Sequence, residues 1–350
     1  MSVNLNFNQT SSSAQSQESS RLDYVLIAGP GRSGTTWLGQ ILNTYQHCSY
    51  KHEPFLPSKS TPYNQWRNDL NSGDIEELRS RFQSLCRDCY FEIDQPPPGK
   101  SFRRPAKSFR RQNPQLLRLL YGLGKRIDPI KNLYEWYGRA NLSEQTPVLI
   151  KEVNFPNELL PRLCEVLQPH LIAIIRNPFA NIASYFKGVE LSLFGQARPR
   201  KIASLRKDID SPSGQHLWKY REQLEQMSLA QLEAVRWRVQ VEPLVEYART
   251  YEPSLVVLYE DLCADPHGKT AEIFEFLGWE LTPVTSNFIN QSISGERSLP
   301  KTSKAYYSVY RDPQESLSKW KTQLTAEQKA DIASVIRESP LQDFWSDIPL

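Results

Sequence analysis

Apolar and polar positions along the chain follow two periods, one typical of strands and one typical of helices. An apolar run at residues 24–28 leads into a glycine-rich turn, and apolar side chains then recur at helical spacing from Thr35 to about Gln46. The rhythm returns after residue 147, where it predicts strands 148–151, 171–175 and 255–259 and helices 157–167, 178–186, 229–251, 271–277 and 325–337. Strands that alternate with helices indicate an α/β protein whose central parallel sheet is flanked by helices.

Three segments depart from this alternation. Residues 56–147 contain amphipathic stretches at 75–85 and 116–123 without a strand pattern, which predicts a helical insertion. Residues 187–227 are polar and basic with weak periodicity, which predicts a loop or short helices beside the substrate. Residues 1–20 are mainly Ser, Gln and Asn and are predicted to form a flexible tail, so that residues 21–350 make up a single domain.

The composition excludes several classes of protein. A hydrophobic content of 39% over 350 residues fits a globular chain with a substantial core, and a net charge of +3 is too small to indicate nucleic acid as a partner. No apolar run approaches the roughly 18 residues of a membrane span. The cysteine count, five, is odd and does not suggest a disulfide framework. We therefore expect a cytoplasmic protein.

Two local features have a structural and a functional interpretation. Cys86 and Cys89 form a lone CxxC pair without further ligands at metal-binding spacing, which favours ordinary thiols over a zinc site. Six basic residues within 100–111 are interleaved with Phe102 and Phe109. This stretch is either a solvated loop, which the charge pattern favours, or a contact for an anionic acceptor or an anionic membrane surface.

The turn after the first strand carries the clearest sign of chemistry. Glycines at 29, 31 and 34 let successive backbone N–H groups converge on an oxyanion at the start of a helix. The run also matches the dinucleotide motif GxGxxG, with Glu53 near the position of its ribose-binding acid. As a nucleoside triphosphate loop it lacks the lysine that reaches the phosphates, because Thr35 stands at that position.

A second predicted anion site decides between these ligands. Arg176 follows a core strand and precedes a proline that starts a helix, and Ser184 lies two turns further along. Ligands of open parallel sheets bind at the carboxyl ends of the strands, where a guanidinium suits a phosphate. Two anion sites on one sheet edge suit a nucleotide that carries a phosphate at each end.

These two elements together resemble the sulfotransferases that use 3′-phosphoadenosine 5′-phosphosulfate (PAPS). The resemblance is carried by RSGTTW at 32–37 and by Arg176 with Ser184, and it extends to LYEDL at 258–262, GERS at 295–298 and LSKW at 317–320, the last two being similar to tyrosylprotein sulfotransferases. It covers about residues 24 to 320 and implies a P-loop-like three-layer fold.

The resemblance also implies which residues hold the nucleotide. The first loop would hold the 5′-phosphosulfate through Arg32, Ser33, Gly34, Thr35, Thr36 and Trp37. Arg176 and Ser184 would hold the 3′-phosphate, joined by Tyr259, Ser298 and Lys319. An insertion before Lys319 leaves three other basic residues as substitutes for it: Arg297, Lys301 and Lys304.

Sulfuryl transfer needs cations at the leaving phosphate oxygen and a base at the acceptor hydroxyl, but no obligatory metal. Lys151, at the end of a strand, matches a lysine of tyrosylprotein sulfotransferases and would approach the bridging oxygen, while Arg32 and Ser298 would share the charge. A proline after Glu53 predicts an extended Glu53 at a strand end. We expect Glu53 to be the base, with His52 as the alternative.

The leading hypothesis is thus a PAPS-dependent sulfotransferase that forms adenosine 3′,5′-bisphosphate (PAP) as product. A P-loop kinase of a small metabolite and a non-catalytic nucleotide-binding module are the alternatives. A carbohydrate or small-molecule hydroxyl is the first expected acceptor, a lipid or natural product the second, and a peptide tyrosine the third. The segments at 56–147 and 187–227, which would decide between acceptors, contain no motif that we recognise.

Overall fold

The architecture is seen in a computed structural model of the chain. It describes residues 23–59, 61–94, 114–139, 142, 146–193, 195, 197–294 and 312–345. The predicted tail at 1–20 and the basic stretch at 100–111 lie outside these residues. No helix among the described residues has both the length and the apolar character needed to cross a membrane.

The described strands form one parallel sheet in the order β2-β3-β1-β4-β5. Their bounds are β1 Tyr24–Ala28, β2 Ser49–His52, β3 Val148–Lys151, β4 His170–Ile175 and β5 Ser254–Leu258. β1 is central and its five residues are all buried, as expected for a strand covered on both faces. All carboxyl ends therefore meet at one edge, where the loop after β1 lies between the ends of β3 and β4.

Helices cover both faces of the sheet. The first group is α1 Thr35–Leu42, α2 Pro62–Asp69, α3 Ile75–Arg87, α4 Pro114–Gly124, α5 Asp128–Gly138, α6 Leu160–Leu167, α7 Pro178–Glu190 and α8 Arg198–Asp210. The second is α9 Leu229–Thr250, α10 Tyr259–Ala264, α11 Pro266–Phe276, α12 Pro283–Ile293, α13 Pro313–Ser318, α14 Trp320–Gln323 and α15 Ala326–Ile336. Segments Pro212–Tyr220 and Gln342–Phe344 are 3₁₀-helices.

Alternate residues of each strand feed different cores. Val25 and Ile27 of β1 pack with α1, α10, α11 and α12, whereas Leu26 of the same strand packs with α2, α3, α6 and α9. A further core joins α7 to α9, α14 and α15 through residues such as Phe179 and Trp237. The alternation of side chains along a strand thus produces the three layers that the sequence predicts.

The predicted α/β class and the strand–loop–helix unit are confirmed, and the differences have local causes. α1 ends at Leu42 rather than near Gln46, because Thr44 turns its hydroxyl back to the carbonyl of Ile41 at 2.6 Å and lies 2.8 Å from the Thr285 hydroxyl. Of the two alternatives predicted for 187–227, a loop or short helices, the structure shows helices, which are α8 and a 3₁₀-helix. Within 56–147, the described residues before β3 form four helices, as predicted.

Both cysteines of the CxxC pair are buried thiols, and Cys89 lies just beyond the end of α3. Cys86 lies on α3, where burial raises the pKa of its thiol to about 12. The residues that the structure describes contain no group of three or more His, Cys, Asp and Glu side chains that could hold a metal ion.

Candidate active site

The loop at residues 29–34 turns sharply from β1 into α1. Gly34, the residue before α1, has φ +88, and a Cβ there would lie 2.2 Å from the ring of Tyr259. A side chain at this position would therefore both strain the backbone and collide with the ring. Arg32 also has a positive φ, 72, although it is not a glycine. Such conformations persist only where neighbouring contacts hold them.

Two asparagines from other elements hold this loop. Gly31 donates its N–H to Oδ1 of Asn154, which follows β3, at 2.7 Å. Asn181 of α7 donates its amide to the Gly31 carbonyl at 2.9 Å and to the Ser33 hydroxyl at 3.1 Å. Sequence reasoning missed both asparagines, because neither belongs to a motif and both come from separate parts of the chain.

The structure brings together the two predicted anion-binding elements. Arg32 donates from Nε to the Ser184 hydroxyl at 3.1 Å. Arg176 donates to the Arg32 carbonyl at 3.1 Å and to the Ser316 carbonyl at 2.9 Å, and its guanidinium lies 4.5 Å from the centre of the Tyr259 ring. Its Nε is buried without a hydrogen-bond partner among the described residues. Two guanidinium groups thus lie at one end of the sheet.

An aromatic wall adjoins the two arginines. The Trp37 indole donates to the Ser292 hydroxyl of α12 at 3.0 Å, and its ring meets the Tyr259 ring edge-on at 6.2 Å. Thr35 is buried and Thr36 is half-buried at the start of α1. Burial, offset in part by Arg176, raises the pKa of Tyr259 to about 12, so its hydroxyl stays protonated at neutral pH.

The remaining predicted nucleotide contacts come from the C-terminal region. Ser298 and the substitutes Arg297, Lys301 and Lys304 lie outside the described residues. Lys319 lies between α13 and α14 and pairs with Glu315 at 2.9 Å. Its predicted contact with the nucleotide stays a prediction. The contact that the sequence did not predict is the carbonyl of Ser316, which binds Arg176.

Two of the four predicted catalytic side chains, Lys151 and Glu53, meet directly. Lys151 ends β3 beneath α1, where a Cβ on Gly39 would lie 3.2 Å from both the Lys151 side chain and the Tyr50 hydroxyl. Its ammonium is buried and donates to Oε1 of Glu53. Glu53 follows β2 as predicted, but the expectation that it is extended is wrong, since its φ is 48. A hydrogen bond of 2.7 Å from its N–H to the Lys151 carbonyl holds this turn.

The ion pair determines the charge of the candidate base. Burial tends to raise the pKa of Glu53, but the Lys151 ammonium outweighs it, so the pKa lies below its usual value and the carboxylate stays ionised at neutral pH. Burial, together with the charge of the neighbouring Lys151, lowers the pKa of the alternative base, His52, to about 3. Its Nδ1 lies 2.8 Å from the Tyr50 hydroxyl. The geometry thus favours Glu53 as the proton acceptor.

A second buried carboxyl group supports this turn. Glu152, next to Lys151, is 1% exposed and its Oε2 accepts the N–H of Phe55 at 3.1 Å. Lys151 and Glu152 therefore hold the side chain of Glu53 and the backbone two residues beyond it. Burial raises the pKa of Glu152 to about 8, with the Phe55 hydrogen bond and the charge of Lys151 opposing this effect and that of Glu53 adding to it. The sequence offers no sign that two adjacent charged residues are both buried.

Glu152→Gln is expected to make stability less dependent on pH. The native protein holds a proton on Glu152 that the unfolded chain releases near pH 4.5, so the wild type loses stability as pH rises from there to about 8. Glutamine keeps an acceptor for Phe55 but does not ionise. Across this pH range, the melting temperature of the variant should rise relative to that of the wild type as pH increases. Glu158→Gln, an exposed position, is the control, and an equal gain there would contradict the assignment.

A cavity of about 370 Å³ opens beside the loop. It extends from Arg32 and Asn154 to Tyr185 of α7 and to Arg236 and Trp237 of α9. Polar groups and two aromatic rings share its surface, and its size falls at the lower end of small-molecule sites.

The fold is that of an α/β protein, and its site places two arginines at the carboxyl ends of a parallel sheet, where a buried lysine also pairs with a glutamate. The family model of the sulfotransferase domain matches residues 22–343. The chain therefore belongs to the sulfotransferase family and is a transferase. The predicted resemblance is confirmed at the level of the family.

Among curated proteins, the chain is similar to carbohydrate sulfotransferase 1. The mouse protein is 26% identical over 337 residues, covering 87% of this chain and 75% of the mouse protein. The rat protein is 25% identical over 335 residues, with the same shares.

Solved structures with a similar course of the chain are also sulfotransferases. The sulfotransferase domain of the Synechococcus PCC 7002 olefin synthase aligns over 91% of this chain and 94% of its own, with a TM-score of 0.44 and 16% identity. Mouse sulfotransferase SULT7A1 complexed with PAP aligns over 91% and 86%, with a TM-score of 0.44 and 17% identity.

Proposed function

We propose that this sulfotransferase moves the sulfuryl group of PAPS to a hydroxyl of a carbohydrate or small-molecule acceptor by in-line transfer. The observation that carries the proposal is the meeting of Arg32, Ser184 and Arg176 at one sheet edge, next to the Lys151–Glu53 pair. The similarity to carbohydrate sulfotransferase 1 supports a carbohydrate acceptor. A kinase is disfavoured by Thr35, which replaces the phosphate-binding lysine.

The two arginines suit the two ends of the donor. The loop around Arg32 begins α1, where backbone N–H groups and the positive end of the helix favour a 5′-phosphosulfate. Arg176 has a buried Nε donor without a partner among the described residues, which suits the 3′-phosphate. PAPS supplies an activated sulfuryl group with a phosphate leaving group.

The Lys151–Glu53 pair suits both proton and charge transfer. Glu53, held as a carboxylate, would accept the proton of the acceptor hydroxyl as its oxygen attacks the sulfur. Lys151 would neutralise the charge that develops on the leaving phosphate oxygen, with Arg32 assisting from the loop. Because the lysine is already in place and buried, little reorganisation accompanies the step.

The cavity beside Arg32 is the proposed acceptor site. Asn154, Gln240 and Glu233 offer donors and acceptors for sugar hydroxyls. The ring of Tyr185 suits the apolar face of a sugar, whereas Trp237 lines the cavity but is almost wholly buried. α9 supplies three of these residues, and α7 supplies Tyr185.

We also propose the cytoplasmic location that the sequence leads us to expect.

PAP is expected to raise the melting temperature of the protein. At about a hundredfold excess over its Kd, a ligand of the native state stabilises it by about 2.7 kcal/mol. Adenosine 5′-phosphate, which lacks the 3′-phosphate, should give a clearly smaller rise in differential scanning fluorimetry because it cannot engage Arg176. Equal rises with both nucleotides, or none with PAP, would contradict the donor assignment. Incubation with PAPS and an acceptor panel, followed by mass spectrometry, would then identify the product.

A further inference from the structure

The hairpin formed by α4 and α5 displays an unusual amount of apolar surface. Its buried side packs Leu117, Leu120 and Tyr134 against Phe91. Six large apolar side chains of the same hairpin are between 38% and 57% exposed: Leu116, Leu119, Leu123, Ile127, Leu133 and Trp136. These are more than half of the exposed large apolar side chains among the described residues. We refer to these six residues as the hairpin surface.

The spacing of these residues makes the surface continuous along each helix. Positions 116, 119 and 123 lie on one side of α4, next to the buried stripe at 117 and 120. On α5, the exposed Leu133 likewise adjoins the buried Tyr134. Apolar side chains of the hairpin therefore remain exposed beside those that are buried against the protein.

Positive charge adjoins this apolar surface at the turn between the two helices. Lys125 and Arg126 form the turn between the helices and are exposed, and the exposed Leu123 and Ile127 lie on either side of them. Residues 100–138 contain ten basic and two acidic residues, whereas the whole chain has a net charge of only +3. The rest of the sequence is therefore net acidic, and the charge is concentrated at and before the hairpin.

We propose that the hairpin surface docks on an anionic phospholipid membrane. Leucine, isoleucine and tryptophan side chains that border lysine and arginine are the combination that lies in the headgroup region of a bilayer. The aliphatic groups enter the acyl boundary and the cations bind lipid phosphates and carboxylates. A second copy of the chain would place the same positive charges against each other. A nucleic acid would bind the cations but would not bury the exposed leucines. The docking is independent of the proposed transfer reaction.

The full chain is expected to sediment with vesicles of phosphatidylcholine that contain about 30% phosphatidylserine, and much less with pure phosphatidylcholine. Added salt should weaken the binding. Leu119→Ser/Leu123→Ser and Lys125→Glu/Arg126→Glu should each reduce the partition coefficient by about tenfold or more, because the first removes inserted apolar groups and the second reverses two surface charges. Leu281→Ser, which changes an exposed leucine elsewhere, is the control and should bind like the wild type.

Three results would overturn the proposal. The first is the absence of wild-type binding to the anionic vesicles. The second is wild-type-like binding by both double variants, and the third is a loss in Leu281→Ser as large as that in the double variants. A change of sedimentation coefficient between wild type and Leu119→Ser/Leu123→Ser without lipid would assign the surface to self-association instead. The charge variant lies in an exposed turn, so it tests the proposal even if the leucine variant folds poorly. Melting curves and the PAP-induced rise check that each variant is native.

Discussion

Glu53→Gln is expected to lower kcat by roughly 10²- to 10⁴-fold, the usual contribution of a general base, while PAP binding stays unchanged. Glutamine keeps the size of the side chain, but its amide cannot accept the proton of the acceptor hydroxyl. The effect should appear in kcat rather than in the KM for PAPS, because Glu53 contacts Lys151 and not the loop that we propose to hold the nucleotide. Initial rates with saturating PAPS, together with PAP titrations, measure both quantities.

The variant also removes the carboxylate that neutralises buried Lys151, so folding needs a separate check. Glu53→Asp keeps the negative charge but shortens the side chain by one methylene group. It should lose activity, and its melting temperature should fall less than that of Glu53→Gln. His52→Asn is the matched control on the neighbouring residue. Near-normal turnover in Glu53→Gln together with inactive His52→Asn would transfer the role of base to His52.

Arg176→Ala is expected to weaken PAP binding by roughly 10- to 100-fold, since a hydrogen bond to a charged group contributes about 1.5–3 kcal/mol. The same change removes the guanidinium that ties the Arg32 carbonyl to that of Ser316, so the loop loses a support as well as a cation. At the same PAP concentration, the PAP-induced rise in melting temperature should therefore fall to about half of the wild-type rise or less. Isothermal titration with PAP gives the affinity directly.

Arg162→Ala separates the two effects. Arg162 also donates to two main-chain carbonyls, those of Leu70 at 3.0 Å and Gly73 at 2.8 Å, but it belongs to α6 and binds backbone of the 56–147 segment. Its loss should lower the melting temperature without PAP and leave the PAP-induced rise intact. A full rise in Arg176→Ala would show that the 3′-phosphate binds elsewhere.

The parts of the site that the sequence predicts are those that short motifs encode. Arg32 and the glycines follow a strand within a few residues, and Arg176 follows another, so the parallel topology alone brings both to one edge. Glu53 and Lys151 were also expected at strand ends, and β2 and β3 are neighbours, which explains why they meet.

The parts that the sequence does not predict depend on packing between distant segments. Asn154 and Asn181 support the loop from two other elements. Ser316 contacts Arg176 through its backbone carbonyl, so the identity of its side chain does not indicate the contact. The buried state of Glu152 depends on layers that close around β3. The sequence left both a loop and short helices open for the segment of α8, because charged residues are frequent there and one of the buried side chains is Lys201, which pairs with Glu233. An amphipathic pattern that buries a lysine does not look like a helix pattern in the sequence.

The partners of Trp37 and Arg176 have a consequence for synthesis of the protein. The glycine loop leaves the ribosome early, but the hydroxyl of Ser292 and the carbonyl of Ser316 are added only after most of the chain has been translated. Trp345, later still, donates to Glu260, the carboxylate that also accepts the N–H of Asn177 beside Arg176. Nascent chains and prematurely terminated products therefore contain the loop without the residues that hold Trp37 and Arg176 in place. An immobilised PAP resin should retain the chains that reach Trp345 and should not retain the shorter ones.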